Sequence, residues 1–231
     1  MKLLLTSLGL TNATIRSALE DLTKKPISNC KVVFIPTAIY AMPDGDHYAW
    51  EGLQEQAKIG WAQLGVLELT ALPSLHEEHW LPALQAANVI MVGGGNTPFL
   101  CYWMHQSGLA QKLPDLLKSA VYVGVSAGSM VVSHSFNVNQ ETLQKTGIFD
   151  DDEYGDVAPS GAGSDKTLGL VQFTLRPHLN VDYFQHVSLA DMERAASKVD
   201  VPLYAIDDQT AIKVDGSTVE VVSEGQWKLF S

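Results

Sequence analysis

The chain has 231 residues, 46% of them hydrophobic, and a formal net charge of −11; it can bury one sizeable core and fits one domain better than two small ones. The acidic balance, with positive residues scattered and no Lys/Arg block interleaved with aromatics, argues against a nucleic-acid or anionic-membrane partner. Two cysteines, Cys30 and Cys101, without CxxC spacing, exclude a disulfide framework and fit a reducing compartment.

The apolar run Leu3 to Leu8 reads as a strand and is followed by a helix within Thr11 to Leu22. Arg16, Glu20 and Asp21 arrive too soon after the short apolar run for an export signal, and no segment has the length and apolarity of a membrane span. A cytoplasmic placement is therefore expected. In "CKVVFIPTA" the residues Val32 to Ile35 favour a second strand, and the turn-rich "MPDGDHY" precedes a helix around Trp50 to Gly60. "VLELTAL" reads as a strand, "LHEEHWLPALQAA" as a helix, and "NVIMVGGG" as a strand ending in glycines.

Thr97 and Pro98 suit the start of the next helix, where a missing N–H is tolerated. Val121 to Val125 favours a strand, and "SAGSMVVSHS" turns at once into a short helix. Gly147 to Gly163 is loop-rich, an acidic surface excursion or a lid. "TLGLVQFTL" leads into Arg176-Pro177-His178, and Asp182 to Lys198 favours a helix. "VPLYAI", "TAIKVDGSTVEVV" and "WKLF" read as closing strands, with Asp215-Gly216 as a hairpin connection. This alternation predicts an α/β domain with a largely parallel sheet.

"GVSAG" matches the Gly-x-Ser-x-Gly nucleophile elbow, a tight strand-to-helix reversal that projects Ser126 where a backbone amide can stabilise developing negative charge. A serine hydroxyl needs a base close in space. Of the seven histidines, His178 is preferred because it follows a strand-like segment, where the crevice of a parallel sheet lies. The orienting acid is open among Glu141, Asp150, Asp151, Asp152, Asp165 and Asp182, with Glu141 compatible with Ser-acid-His order. In "VGGGNTPFL", an amide of Gly94 or Gly95 is positioned to join that of Ala127 in an oxyanion hole, and Asn96 to orient the loop or bind a substrate terminus. The run lacks the dinucleotide and P-loop patterns, which disfavours nucleotide binding.

"HEEH" at His76 to His79 lacks HExxH spacing and reads more economically as part of an amphipathic helix than as a metal site. Cys101 reads as a core cysteine.

The motifs "FIPTA", "VGGGNT", "GVSAGS", "LRPH" and "YAIDDQTAI" together resemble the peptidase E branch of the S51 serine peptidases, which includes aspartyl dipeptidases and is related to cyanophycinases. The resemblance spans most of the chain. It implies a single three-layer α/β domain over residues 1–231, class I glutamine-amidotransferase-like, with Ser126 as nucleophile, His178 as base, and Gly94 or Gly95 with Ala127 as oxyanion donors. The family's orienting aspartate falls at a spacing that lands near Glu141, giving a Ser-His-Glu arrangement or an acid from the intervening loops. Asp207 and Asp208, which also read as a paired acidic site, match a structural turn.

The implied activity is acyl-enzyme hydrolysis of short peptides with an N-terminal aspartate, needing no metal or other cofactor. Arg176 is the candidate to bind a substrate carboxylate through paired hydrogen bonds. A cyanophycinase-like polymer hydrolase and a noncatalytic small-molecule-binding protein are the alternatives. Homodimerisation is compatible with any apolar face left exposed by folding.

Overall fold

The computed structural model describes residues 1–135, 163–164, 166–184, 187–197 and 199–231. Its main sheet has seven strands in the order β3-β2-β4-β5-β1-β8-β9: β1 (Lys2–Thr6), β2 (Lys31–Ile35), β3 (Gln63–Val66), β4 (Val89–Val92), β5 (Val121–Val125), β8 (Thr210–Asp215) and β9 (Thr218–Ser223). The first five are mutually parallel, and β8 and β9 close one side as an antiparallel hairpin. Gly216, at φ 62°, makes the hairpin turn expected at Asp215-Gly216.

The near-continuous apolar runs arise because both faces of the parallel strands are buried. Along β1, Leu3 and Leu5 join one cluster while Leu4 joins the other; Ile90 and Val92 alternate in the same way with Val89 and Met91. One face packs against Leu100 and Met104 of α4 (Thr97–Gln106) and Leu109 and Leu113 of α5 (Leu109–Leu116). The opposite face packs against Ile15, Leu19 and Leu22 of α1 (Ala13–Thr23). The fold is thus α/β, with a mixed, mostly parallel sheet between helices.

A second sheet joins β6 (Thr174–Arg176), β7 (Leu203–Ile206) and β10 (Trp227–Phe230) in the order β10-β7-β6. Strands β6 and β7 are parallel, with Arg176 opposite Ala205. Their continuations, carrying His178 and Asp208, therefore leave the sheet side by side.

Three segments differ from the sequence expectation. The helix expected near 50–60 is α2 (Gly45–Lys58), which begins earlier. The region from "VLELTAL" to "LHEEHWLPALQAA" holds a strand only at Gln63–Val66; beyond it come 3-10 turns at Leu69–Ser74 and Glu77–His79 and the five-residue α3 (Leu81–Gln85). Pro73 and Pro82 each remove a backbone donor and restrict the preceding residue, which keeps this stretch in short turns. Within the helix expected over 182–198, the described residues hold one at Leu189–Ala196, whose start Ser188 and Asp191 cap reciprocally through Asp191 N–H to Ser188 Oγ (3.2 Å) and Ser188 N–H to Asp191 Oδ2 (3.0 Å). The loop-rich region 147–163, read as an acidic surface excursion or a lid, lies outside the described residues except for Gly163. Among the described residues, no helix is long and apolar enough to cross a membrane.

Candidate active site

Strand β5 ends directly in the elbow: Ser126 adopts φ 49°, ψ −112° and is followed by α6 (Ala127–Met130). A non-glycine residue held at positive φ is costly, and such strain concentrates at nucleophile turns. The two glycines of the motif permit close approach. A Cβ on Gly124 would lie 2.6 Å from Gly128 O, and one on Gly128 would lie 2.1 Å from Val92 O. The buried Tyr122 hydroxyl donates to Gly128 O at 2.6 Å and pins the turn from below; burial pushes that phenol well above its ordinary range.

Parallel strand ends place the remaining groups around Ser126. Its hydroxyl lies 2.9 Å from His178 Nε2, and His178 Nδ1 lies 2.8 Å from Asp208 Oδ1. An ionised carboxylate only accepts, so Nδ1 carries the proton and Nε2 presents its lone pair to Ser126. His178, at φ 64°, is itself in the left-handed region and stacks on Phe184 with ring centroids 4.4 Å apart. Leu179 N–H donates to Ile206 O at 3.0 Å, tying the His178 loop to the end of β7.

Asp208 has further donors. The Ser7 hydroxyl donates to Oδ1 at 2.5 Å, and the Tyr183 hydroxyl donates to Oδ2. Burial acts to raise the Asp208 pKa, but the hydrogen bonds from His178, Ser7 and Tyr183 outweigh it and hold the carboxyl below its usual range. The Tyr183 phenol is pushed the other way, first by burial and then by its bond to, and the charge of, Asp208.

Gly94 abuts the nucleophile: a Cβ there would sit 3.1 Å from Ser126 Cβ and 3.8 Å from its Oγ. The amide of Ala127, first in α6, is among those a helix start leaves without an intrahelical acceptor. Ser126, Gly94, Gly95, His178 and Arg176 all line one cleft of about 850 Å³, which extends past Phe34 to Tyr48 on α2. A cleft of this size is typical of small-molecule sites. It holds a hydroxyl, an imidazole hydrogen-bonded to a carboxylate, and the Gly94 backbone close to Ser126, an arrangement that can support acyl transfer.

The model of Peptidase family S51 matches residues 3–222, nearly the whole chain. The chain belongs to peptidase family S51. Within it the chain falls in the peptidase E and aspartyl dipeptidase branch. It is 28% identical over 223 residues to a "Probable alpha-aspartyl dipeptidase" of Drosophila melanogaster, covering 93% of this chain and 81% of that protein. To a Peptidase E of Streptomyces coelicolor it is 27% identical over 223 residues, covering 94% and 81%. A crystal structure of a putative Peptidase E from Listeria monocytogenes EGD-e superposes with a TM-score of 0.66 at 21% identity, covering 97% of this chain and 98% of that one, a likeness of fold.

In this S51 peptidase, Ser126, His178, Gly94 and Gly95 line one cleft, and Ala127 follows Ser126 directly as the first residue of α6. Arg176 is 2% exposed at the end of β6 and reaches the cleft wall. Asn96 is buried, and its side chain accepts from Phe99 N–H at 2.8 Å as the cap of α4; it is not among the residues lining the cleft. Glu141, the acid expected behind His178, lies outside the described residues, as do Asp150, Asp151, Asp152 and Asp165. Asp182 is described, but the carboxylate set against Nδ1 is that of Asp208. Asp207 fills the turn role expected of the pair: Oδ1 accepts from Gln209 N–H (3.0 Å) and the Thr210 hydroxyl (2.7 Å), and Oδ2 from Gln226 N–H (2.5 Å).

Sequence reasoning missed Asp208, Ser7 and Tyr183 as neighbours of the base. The available signal was a polar Thr6-Ser7 pair ending a buried strand, and a second aspartate beside one already needed for the turn. His76 and His79 face each other with ring centroids 6.3 Å apart, and no group of three or more His, Cys, Asp or Glu that could hold a metal occurs among the described residues.

Proposed function

We propose that this S51 peptidase hydrolyses short peptides, foremost dipeptides with an N-terminal aspartate, through a serine acyl-enzyme. Ser126 is the nucleophile, His178 the general base, and Asp208 the carboxylate that orients the base. The observation that carries this reading is the continuous chain of hydrogen bonds from Ser126 Oγ through both His178 nitrogens to Asp208.

The Ser126 hydroxyl attacks the scissile carbonyl carbon while Nε2 of His178 takes its proton. The developing imidazolium is stabilised by ionised Asp208, whose three donors keep it charged. Amides of Ala127 and of Gly94 or Gly95 hold the tetrahedral oxygen. Collapse breaks the C–N bond as Nε2 returns the proton to the departing amine, and water then resolves the ester by the same route.

Arg176 is the group proposed to select aspartate. With a net charge of −11 the chain as a whole repels an acidic substrate, so the preference needs a local cation. Arg176 lines the cleft at the end of β6, two residues before His178. The aspartyl and peptidase E relatives support this assignment by name alone. We take the chain as one domain with class I glutamine-amidotransferase-like architecture, supported by the elbow at the end of a central parallel strand.

A panel of dipeptides varied at the first residue, offered to wild type and Ser126→Ala with free amine as the readout, tests the reading. Cleavage restricted to acidic first residues and abolished by Ser126→Ala is expected. Equal turnover by Ser126→Ala, or cleavage indifferent to the first residue, contradicts it.

A further inference from the structure

We infer that Ser7 is a positioning residue of the active site, holding the base and its carboxylate in register with the nucleophile from the end of β1. This rests on the assignment of Ser126, His178 and Asp208 above.

Thr6 pairs with Val125 across the parallel β1–β5 ladder and with Ala211 across the antiparallel β1–β8 ladder. The next residue, Ser7, is therefore level with Ser126 on one side and with Thr210, just after Asp208, on the other. In the main sheet, β1 lies between the nucleophile strand and the strand following the carboxylate. Thr6 fastens the nucleophile side: its carbonyl accepts Ser126 N–H (3.1 Å) and the Ser129 hydroxyl (2.8 Å), and its own hydroxyl donates to Gly124 O (2.7 Å).

Ser7 fastens the other side. It is fully buried. Oγ accepts the backbone N–H of His178 at 2.9 Å and donates to Asp208 Oδ1 at 2.5 Å. A hydroxyl has one proton. Since that proton is given to Asp208, the 3.2 Å approach of Oγ to His178 Nδ1 adds no donation to the ring, and the Nδ1 proton stays with the carboxylate. One side chain thus satisfies the amide of a histidine in the left-handed region and shares the oxygen that sets its tautomer. An unsatisfied buried amide or carboxylate lone pair would be costly there.

Among the described residues, the titratable and charged groups around the pair include Tyr183 on Oδ2, Asp207 next in sequence and turned to Gln209, Thr210 and Gln226, and Arg176 two residues before His178. With the Ser7 donor removed, more negative charge remains on Asp208 to face the ring. The carboxylate then holds the protonated ring more strongly, and the acidic limb of Ser126 activation is expected at higher pH.

The test compares wild type, Ser7→Ala and Ser7→Cys by two readouts: the NMR titration of His178 in protein labelled with 15N-histidine, and the pH dependence of Ser126 labelling by a fluorophosphonate. For Ser7→Ala we expect the His178 titration and the acidic limb of labelling to move up together by about 0.5–1 pH unit. The labelling rate at the plateau should fall about tenfold or more, with Ser7→Cys, a weaker donor, between the two. A merely structural serine would lower thermal stability and leave the His178 titration in place. The inference is overturned if either folded variant titrates as wild type and labels within about twofold of it. Should wild type fail to label while Ser7→Ala still moves the His178 titration, the peptidase reading fails and the positioning role of Ser7 stands.

Discussion

Replacing Asp208 by asparagine removes the charge behind the base and keeps the shape. Three donors converge on the carboxylate: His178 Nδ1–H and the Ser7 hydroxyl on Oδ1, and the Tyr183 hydroxyl on Oδ2. An asparagine has one acceptor oxygen for these two sides. If its oxygen faces Tyr183, its amide donates to Nδ1, the proton moves to Nε2, and the base facing Ser126 is lost. If its oxygen faces Nδ1, the tautomer survives but the imidazolium formed during attack has no counter-charge. For charges about 4 Å apart at an effective dielectric of about 20, that counter-charge is worth about 4 kcal/mol, or about a 10³-fold loss in kcat. The wrong tautomer carries a cost about as large or larger, on the order of 10⁴-fold. Steady-state turnover of an aspartyl dipeptide should therefore show kcat down by about 10³–10⁴ with KM little changed, and Glu141→Gln should stay within about threefold of wild type. A folded Asp208→Asn with near wild-type kcat, alongside a disabled Glu141→Gln, would refute the reasoning and return the orienting role to Glu141.

Arg176→Gln should lower kcat/KM for an N-terminal aspartate about 10–100-fold while changing that for an N-terminal asparagine far less, as expected for loss of one charge-assisted pair; an unchanged ratio between the two substrates excludes Arg176 from recognition. Gly128→Ala drives a Cβ to 2.1 Å from the Val92 carbonyl. It should cost about 3 kcal/mol or more, read as a melting temperature lower by at least about 6 °C, and unaltered melting would show that the elbow tolerates a side chain.

The parallel core was legible because strands buried on both faces read as short apolar runs, as in Leu3–Leu5 and Val89–Val92. The elbow was legible because Gly124 and Gly128 leave no room for a side chain, so the motif carries its own steric reason. His178 followed from its place just past a strand. Asp208 was not legible, since its approach to His178 depends on the pairing of β6 with β7 in a separate sheet and of β8 with β1, both long-range facts. The two aspartates looked alike in sequence and divide their roles by direction alone, Asp207 towards the backbone of the turn and Asp208 towards the ring. Ser7 was hidden for the same reason: nothing local to "LLLTSLG" reports that three other strand ends meet there. The expected helices failed where prolines interrupt 69–85 and where the Ser188 cap starts a helix late, leaving Tyr183 and Phe184 free to pack on the base.

The central claim is that Ser126 forms a covalent acyl-enzyme, and intact-mass analysis with peptide mapping after fluorophosphonate treatment tests it most directly. A single adduct on Ser126 is expected, lost in Ser126→Ala and strongly slowed in His178→Ala. An adduct on another residue, or none on a folded protein that still cleaves aspartyl dipeptides, would contradict it.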